Sequence, residues 1–172
     1  MDGFLADVGP RALVIARVAM GGSDDAMDVV QDAMTQLVQR YADKGPDHWP
    51  PLFHTILQSR IRDWMRREKV RRAVRAWLGG DQEDGPDPLE AVPDPRGGTP
   101  EDALRQAQQA EALRAALAEL PYRQAQVFIL RAWEELGVAE TARAVGCSEG
   151  SVKTHYFRAV RALRERLGEH WP

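Results

Sequence analysis

ELGVAETARAVGCSEGSVKTHYFRAVRALRERL, residues 135–167, predicts a helix, a tight turn and a second helix. Ala142 is small where a crossing helix needs close approach. Gly146 stands four residues later, where the turn calls for a positive φ that glycine adopts without a steric penalty. Ser148 then offers a side-chain oxygen to the first free N–H groups of the next helix. That helix has one apolar stripe, Val152, Tyr156, Ala159, Leu163 and Leu167, at helical spacing. At about 100° per residue, Thr154, Phe157, Arg158 and Arg161 fall on the opposite face. A packed stripe behind with threonine, arginine and an aromatic ring in front suits the DNA major groove. Arginine can bond guanine bidentately, and threonine can touch a base edge or a thymine methyl. The same spacing is also met by a plain helical hairpin with a solvated basic face.

Working outward, the 172 residues allow one domain or two small ones, and a hydrophobic content of 44% is enough for helical cores. The single Cys147 excludes an internal disulfide, and no Cys/His cluster has zinc spacing, so a reducing cytoplasm fits. His48, His54, His155 and His170 are scattered and read as surface or DNA-proximal groups, so no metal and no cofactor is expected. The start, MDGFLADVGP, is acidic, and Arg17 breaks the apolar run Ala12–Met20, so neither a signal peptide nor membrane insertion is expected.

Charge is segregated along the chain. Residues 1–50 carry 4 Lys/Arg against 8 Asp/Glu, and residues 51–78 carry 8 against 2. Residues 79–102 carry 1 against 8, and residues 137–172 carry 6 against 4. Two basic blocks separated by an acidic one suggest two nucleic-acid contacts on one chain.

Phe4, Leu5, Val8, Leu13, Ile15 and Val18 predict one or two short helices with Pro10 near a join, ended by Gly21-Gly22. Ser23 is the expected N-cap of the next helix, which runs to about Tyr41. Its apolar stripe is Ala26, Val30, Ala33, Met34, Leu37 and Tyr41, and its far face carries Asp25, Asp28, Asp32, Thr35 and Gln39. The helix dipole accounts for acids in the first turn but not for Asp28 and Asp32, which form either a solvated face or a docking surface for a basic partner. YADKGPDHWPP reads as a loop containing Trp49, and a basic helix follows from about Leu52 to Leu78. Phe53, Leu57, Ile61 and Trp64 are its buried stripe; Thr55, Ser59, Arg62, Arg66 and Lys69 line the other side, with Arg67, Arg71, Arg72 and Arg75 adding charge. Gly79 to Gly98 is a flexible acidic linker by composition. Thr99-Pro100-Glu101-Asp102 restarts a helix with the stripe Leu104, Ala110, Leu113, Leu117 and Leu120. A further helix from about Pro121 carries Val127, Phe128 and Leu130. There is no Gly-rich phosphate loop and no paired nucleophile and base, so no enzyme is expected.

SDDAMDVVQDAMTQLVQRY, FHTILQSRIRDWMRREKVRR, TPEDAL, LRAALAELPYRQAQVFILRAWEEL and ETARAVGCSEGSVKTHYFRAVRALRERL, in this order across an acidic linker, together resemble the extracytoplasmic-function group of the bacterial RNA polymerase sigma-70 family. The resemblance implies an all-α chain of two small helical domains: sigma region 2 over 1–78, the linker over 79–98, and sigma region 4 with its helix-turn-helix over 99–172. It also implies a partner, core RNA polymerase, whose β-prime clamp helices would meet Asp28, Gln31 and Asp32, with further contact to the β subunit. Trp49, Thr55, Ser59, Arg62, Arg66 and Arg67 are similar in place to the part that opens and reads the −10 promoter element. Ser151, Lys153, Thr154, Phe157, Arg158 and Arg161 stand in the helix that reads the −35 element. An anti-sigma factor is a further partner of the kind the group has, and the linker would run through the polymerase towards its RNA exit path. The sequence departs from the group at Ile56, where a Trp is usual, and at Glu135-Leu136-Gly137, where a Gly–Leu–Ser type of approach to the helix-turn-helix is usual. The alternative function is a stand-alone helix-turn-helix repressor or activator, with residues 1–78 as a sensing or dimerisation domain.

Overall fold

The computed structural model describes residues 1–77 and 100–168, with side chains for 1–74 and 108–168. Every regular element among them is helical. The expected flexibility of 79–98, the Thr99 cap and the side chains of Arg75 and Leu104 lie outside the described residues.

The first helix, α1, runs unbroken from Asp2 to Met20, with Pro10 inside it. This corrects the expected join. The helical bond that Pro10 cannot donate would have gone to the carbonyl of Ala6, an exposed residue that water can serve. The apolar residues Val8, Ala12, Ile15, Ala16 and Met20 are buried on the opposite side and hold the helix through that position. Gly9 is the point of closest approach: a Cβ there would lie 2.9 Å from the Met34 side chain. Gly21, left-handed at φ 67°, ends α1.

Helix α2 spans Asp25–Tyr41 and buries Ala26, Val29, Val30, Ala33 and Leu37. The cap position is Asp24, one residue after the expected Ser23, and its side chain makes no capping bond. Ser23 acts from just outside, its Oγ accepting from the Asp25 N–H at 3.2 Å. Val29 belongs to the core beside Val30, while Met34 and Tyr41 are half-buried. After a 3-10 turn at Pro46–His48, helix α3 spans Trp49–Trp77. The helix therefore begins three residues before the expected Leu52, and Trp49 is its first residue rather than a loop residue. Pro50 and Pro51 sit in the first turn, where their missing N–H groups would have had no helical partner. Phe53, Ile56, Leu57, Ile61 and Trp64 are buried and pack α3 against α1 and α2.

Helix α4 spans Pro100–Ala118, and α5 spans Tyr122–Phe128 and continues as a π-helical turn, Ile129–Trp133. Helices α6, Val138–Val145, and α7, Glu149–Leu167, complete the order. Leu117 and Leu120 of the expected α4 stripe are buried with Ala116, and Leu113 is half-buried, but Ala110, one turn before Arg114 on the same face, is exposed. The chain divides into two compact units, Met1–Pro88 and Leu89–Pro172. In the second, Val127, Leu130, Leu136, Ala142, Ala144, Val145 and Val152 form a core across α5, α6 and α7, with Val138, Cys147 and Tyr156 packed on it.

Candidate nucleic-acid interface

The turn between α6 and α7 is built from local chemistry. Gly146 closes α6 at φ 72°, and its N–H and that of Cys147 both donate to the Ala142 carbonyl, at 2.9 and 3.1 Å. The Arg123 guanidinium of α5 donates to the Val145 carbonyl, satisfying one of the acceptors at the C-terminal end of α6 that have no partner within the helix. Ser148 caps α7, its Oγ accepting from the Ser151 N–H at 3.2 Å.

On α7 the stripe Val152, Ala159, Leu163 and Leu167 is buried; Tyr156, half-buried, stacks on Phe128 with centroids 6.1 Å apart and planes at 16°. Full burial of each leucine or valine contributes about 1.5–3 kcal/mol, enough for one stripe to fix which face points outward. The outward face carries Lys153, Thr154, Phe157, Arg158 and Arg161, all exposed. Phe157 is 68% exposed, a large apolar ring that the fold itself does not cover. Thr154 donates its hydroxyl to the Gly150 carbonyl at 3.0 Å, and Arg161 lies 3.6 Å from Glu165, a surface pair of small energetic weight. Lys153, Phe157 and Arg158 make no side-chain hydrogen bond or ion pair among the described residues. Ser151 stands apart from this group: it is half-buried, with its hydroxyl 2.9 Å from that of Ser148.

The approach to α6 lacks a serine and solves the capping problem otherwise. Glu140 folds back so that its Oε2 accepts the Gly137 N–H at 2.8 Å, half of a reciprocal capping arrangement. The buried Thr141 donates its hydroxyl to the Gly137 carbonyl at 2.9 Å. Glu135, just before, is left-handed at φ 54°, a conformation in which a side chain is strained. The Arg131 guanidinium donates to the Leu136 carbonyl and holds this corner.

In the first unit, Thr55, Ser59, Arg62 and Arg66 follow one another at helical spacing and share a face of α3, as expected. Thr55 turns its hydroxyl back to the Pro51 carbonyl at 2.7 Å, and Arg66 lies 3.9 Å from Asp63 with most of its side chain in solvent. Arg67 is exposed and roughly a third of a turn round from that face. Trp49 stands away from the group, half-buried against Phe4 with centroids 6.0 Å apart. Its indole Nε1 is buried and has no partner among the described residues. On α2, Asp28, Gln31 and Asp32 are exposed on one face and unpaired among the described residues. Asp25, at the start of the same side of α2, is engaged within the chain instead: its carboxylate accepts the Trp64 indole N–H at 2.6 Å and lies 3.8 Å from Arg71. Sequence reasoning missed this contact, the Glu140 cap and the Arg123 and Arg131 pins. Of these only the cap has a local signal, a Glu three residues after the capping position.

Among the described residues no helix is long and apolar enough to cross a membrane, and no group of His, Cys, Asp and Glu side chains could hold a metal ion.

A family model described as sigma-70, region 4, matches residues 110–163, the segment from α4 through most of α7. The RNA polymerase sigma-E factor of Streptomyces antibioticus is 31% identical over 144 residues, covering 83% of this chain and 71% of that protein. The extracytoplasmic-function RNA polymerase sigma factor SigM of Mycobacterium tuberculosis is 30% identical over 159 residues, covering 90% and 70%. A solved structure of the sigma factor RpoE from Bartonella quintana, in complex with the anti-sigma factor NepR, has the same fold. Its TM-score is 0.70 at 24% identity, over 96% of this chain and 95% of that one. With a helix-turn-helix that presents one exposed basic and aromatic face, and with relatives that match along most of its length, the chain belongs to the extracytoplasmic-function group of the bacterial sigma-70 family of RNA polymerase sigma factors.

Proposed function

We propose that this sigma factor divides promoter recognition between its two units, with the core polymerase supplying all of the chemistry and the chain only binding. Residues 99–172 form the −35 domain, in which Lys153, Thr154, Phe157, Arg158 and Arg161 of α7 enter the major groove. Ser151 helps at one remove, by completing the Ser148 cap at the start of the helix. The observation that carries this reading is the exposed face of α7: an unpaired lysine, an unpaired arginine and a 68% exposed phenylalanine behind which the stripe is packed. Arginine supplies bidentate guanine recognition, and the ring and the threonine methyl supply apolar contact to thymine.

Residues 1–78 dock on the polymerase and engage the −10 element, and residues 79–98 join the two domains. Asp28, Gln31 and Asp32 present an uncompensated acidic face suited to a basic surface, for which the β-prime clamp helices are the proposed site. The β subunit is a second contact of the same enzyme. Thr55, Ser59, Arg62, Arg66 and Arg67 provide the −10 contacts, phosphate for the arginines and base edges for the hydroxyls. Trp49 contributes through its packing on Phe4 at the start of the same helix. An anti-sigma factor is a proposed partner, supported by the fold shared with a sigma factor solved in such a complex. The cytoplasm, where core polymerase and DNA are found, is the proposed location. Run-off transcription with purified core polymerase tests the reading: specific products should require the chain, and Arg158→Ala should reduce them at promoters with a matching −35 element.

A further inference from the structure

Helix α3 does two jobs along its length. From Phe53 to Trp64 it packs into the first unit. Beyond Trp64, the last buried side chain, every described side chain from Met65 to Val74 is exposed or half-buried. That second half carries Arg66, Arg67, Lys69, Arg71 and Arg72, and among the described residues it has no core beneath it. Something must fix the direction in which it leaves the core, because a basic helix that pivots cannot hold its cations in register with phosphates.

Asp25 makes the contacts that can do this. Its own N–H is bonded to Ser23 Oγ, which holds the residue at the start of α2. Its Oδ2 accepts the indole N–H of Trp64 at 2.6 Å and lies 3.8 Å from Nη2 of Arg71, seven residues further along α3. Both contacts converge on one carboxylate oxygen, a short hydrogen bond from Trp64 and a longer, half-exposed ion pair with Arg71 two turns on. Together they tie this part of α3 to the start of α2, the indole bond carrying most of the weight. Arg71 is shared with Glu68, Nε to Oε2 at 3.2 Å, and Glu68 also holds Arg72 at 3.1 Å. Asp25 and Glu68 therefore occupy Arg71 and Arg72, while Arg67 and Lys69 remain unpaired among the described residues. The acidic residues of α2 thus separate: Asp28 and Asp32 face outward, and Asp25 is committed to its own chain.

We infer that Asp25 is a positioning residue for promoter opening, holding the basic half of α3 through Trp64 and Arg71 rather than docking on the polymerase. The inference rests on the proposed role of α3 at the −10 element. The test uses holoenzyme assembled from the full chain and core polymerase, on promoter DNA carrying 2-aminopurine in the −10 region, with core affinity measured in parallel. Asp25→Ala and Trp64→Phe should each lower open-complex formation about tenfold, the scale of one charge-assisted hydrogen bond. The double variant should be no worse than either alone, and affinity for core should be unchanged. Additive losses, or core affinity falling in step with opening, overturn the inference. Should Asp25→Ala fail to fold, Asp25→Asn carries the test, since it keeps an oxygen for the indole and loses the charge facing Arg71. It should open the promoter less well at an unchanged melting temperature, and wild-type opening would overturn the inference. Arg67→Ala separates the two levels. Normal opening by that variant removes the −10 reading and the inference with it, whereas impaired opening by Arg67→Ala beside normal opening by the Asp25 and Trp64 variants removes the inference alone.

Discussion

The Glu140 carboxylate accepts the Gly137 N–H at 2.8 Å, so the first helix of the helix-turn-helix is capped from inside its own first turn. Gly137 makes room for this: a Cβ at that position would stand 3.1 Å from Glu140 Oε2. Glu140→Ala should therefore loosen α6, at a cost of about 1 kcal/mol, the usual scale of a lost cap. Amide exchange of α6 in the full chain measures it, and the α6 amides should exchange roughly fivefold faster in the variant. Glu140→Gln, which keeps an acceptor, should lose less.

Glu135 gives the opposite sign. Its left-handed backbone, φ 54°, penalises any residue with a Cβ. Glu135→Gly should stabilise the corner between α5 and α6 by about 1 kcal/mol, provided that Arg131 keeps its bond to the Leu136 carbonyl. A thermal melt shows whether the transition of the second unit moves up as expected; a fall would mean that the Glu135 side chain contributes more than its strain costs.

Arg158 is exposed and unpaired among the described residues, so Arg158→Ala should leave the fold intact. At promoters it should cost about 1–3 kcal/mol if the side chain reads a base edge, with preference relaxed at one −35 position only. Transcription from a promoter set varied through the −35 element reads both quantities. A uniform loss at every sequence would assign Arg158 to phosphate instead.

Asp28→Arg with Asp32→Arg reverses the outward face of α2 without touching the core, since both residues are exposed. Like charge across a docked surface should weaken core binding by a few kcal/mol, with far-ultraviolet circular dichroism unchanged. Unaltered affinity in a titration against core would remove α2 from the docking surface.

What was legible in the sequence was what repeats or caps locally. The α7 stripe, the left-handed Gly146 and the Ser148 cap all follow from spacing within one turn or two of the residues concerned. The stripe Phe53, Leu57, Ile61 and Trp64 was legible for the same reason. Asp25 was not, because its partner Trp64 is 39 residues away and an acid in a first turn already has a sufficient local reason. Trp49 was misplaced because Pro50 and Pro51 read as a break, although proline is tolerated in the first turn of a helix. Pro10 misled in the same way: sequence cannot show that the carbonyl it leaves unpaired faces water. Asp28, Gln31 and Asp32 are legible only as a pattern; that nothing among the described residues pairs with them is visible in the fold alone.

In the proposed function α7 offers a single recognition surface, and its second contact comes from the same chain with core polymerase setting the spacing. The measurement that addresses it most directly is promoter affinity of the chain, with and without core polymerase, alongside its oligomeric state. The chain should be a monomer that binds promoter DNA weakly alone and gains affinity and sequence preference sharply when core is added. Tight, palindrome-dependent binding by a dimer in the absence of polymerase would contradict it, because two α7 helices about one DNA turn apart would then be doing the reading.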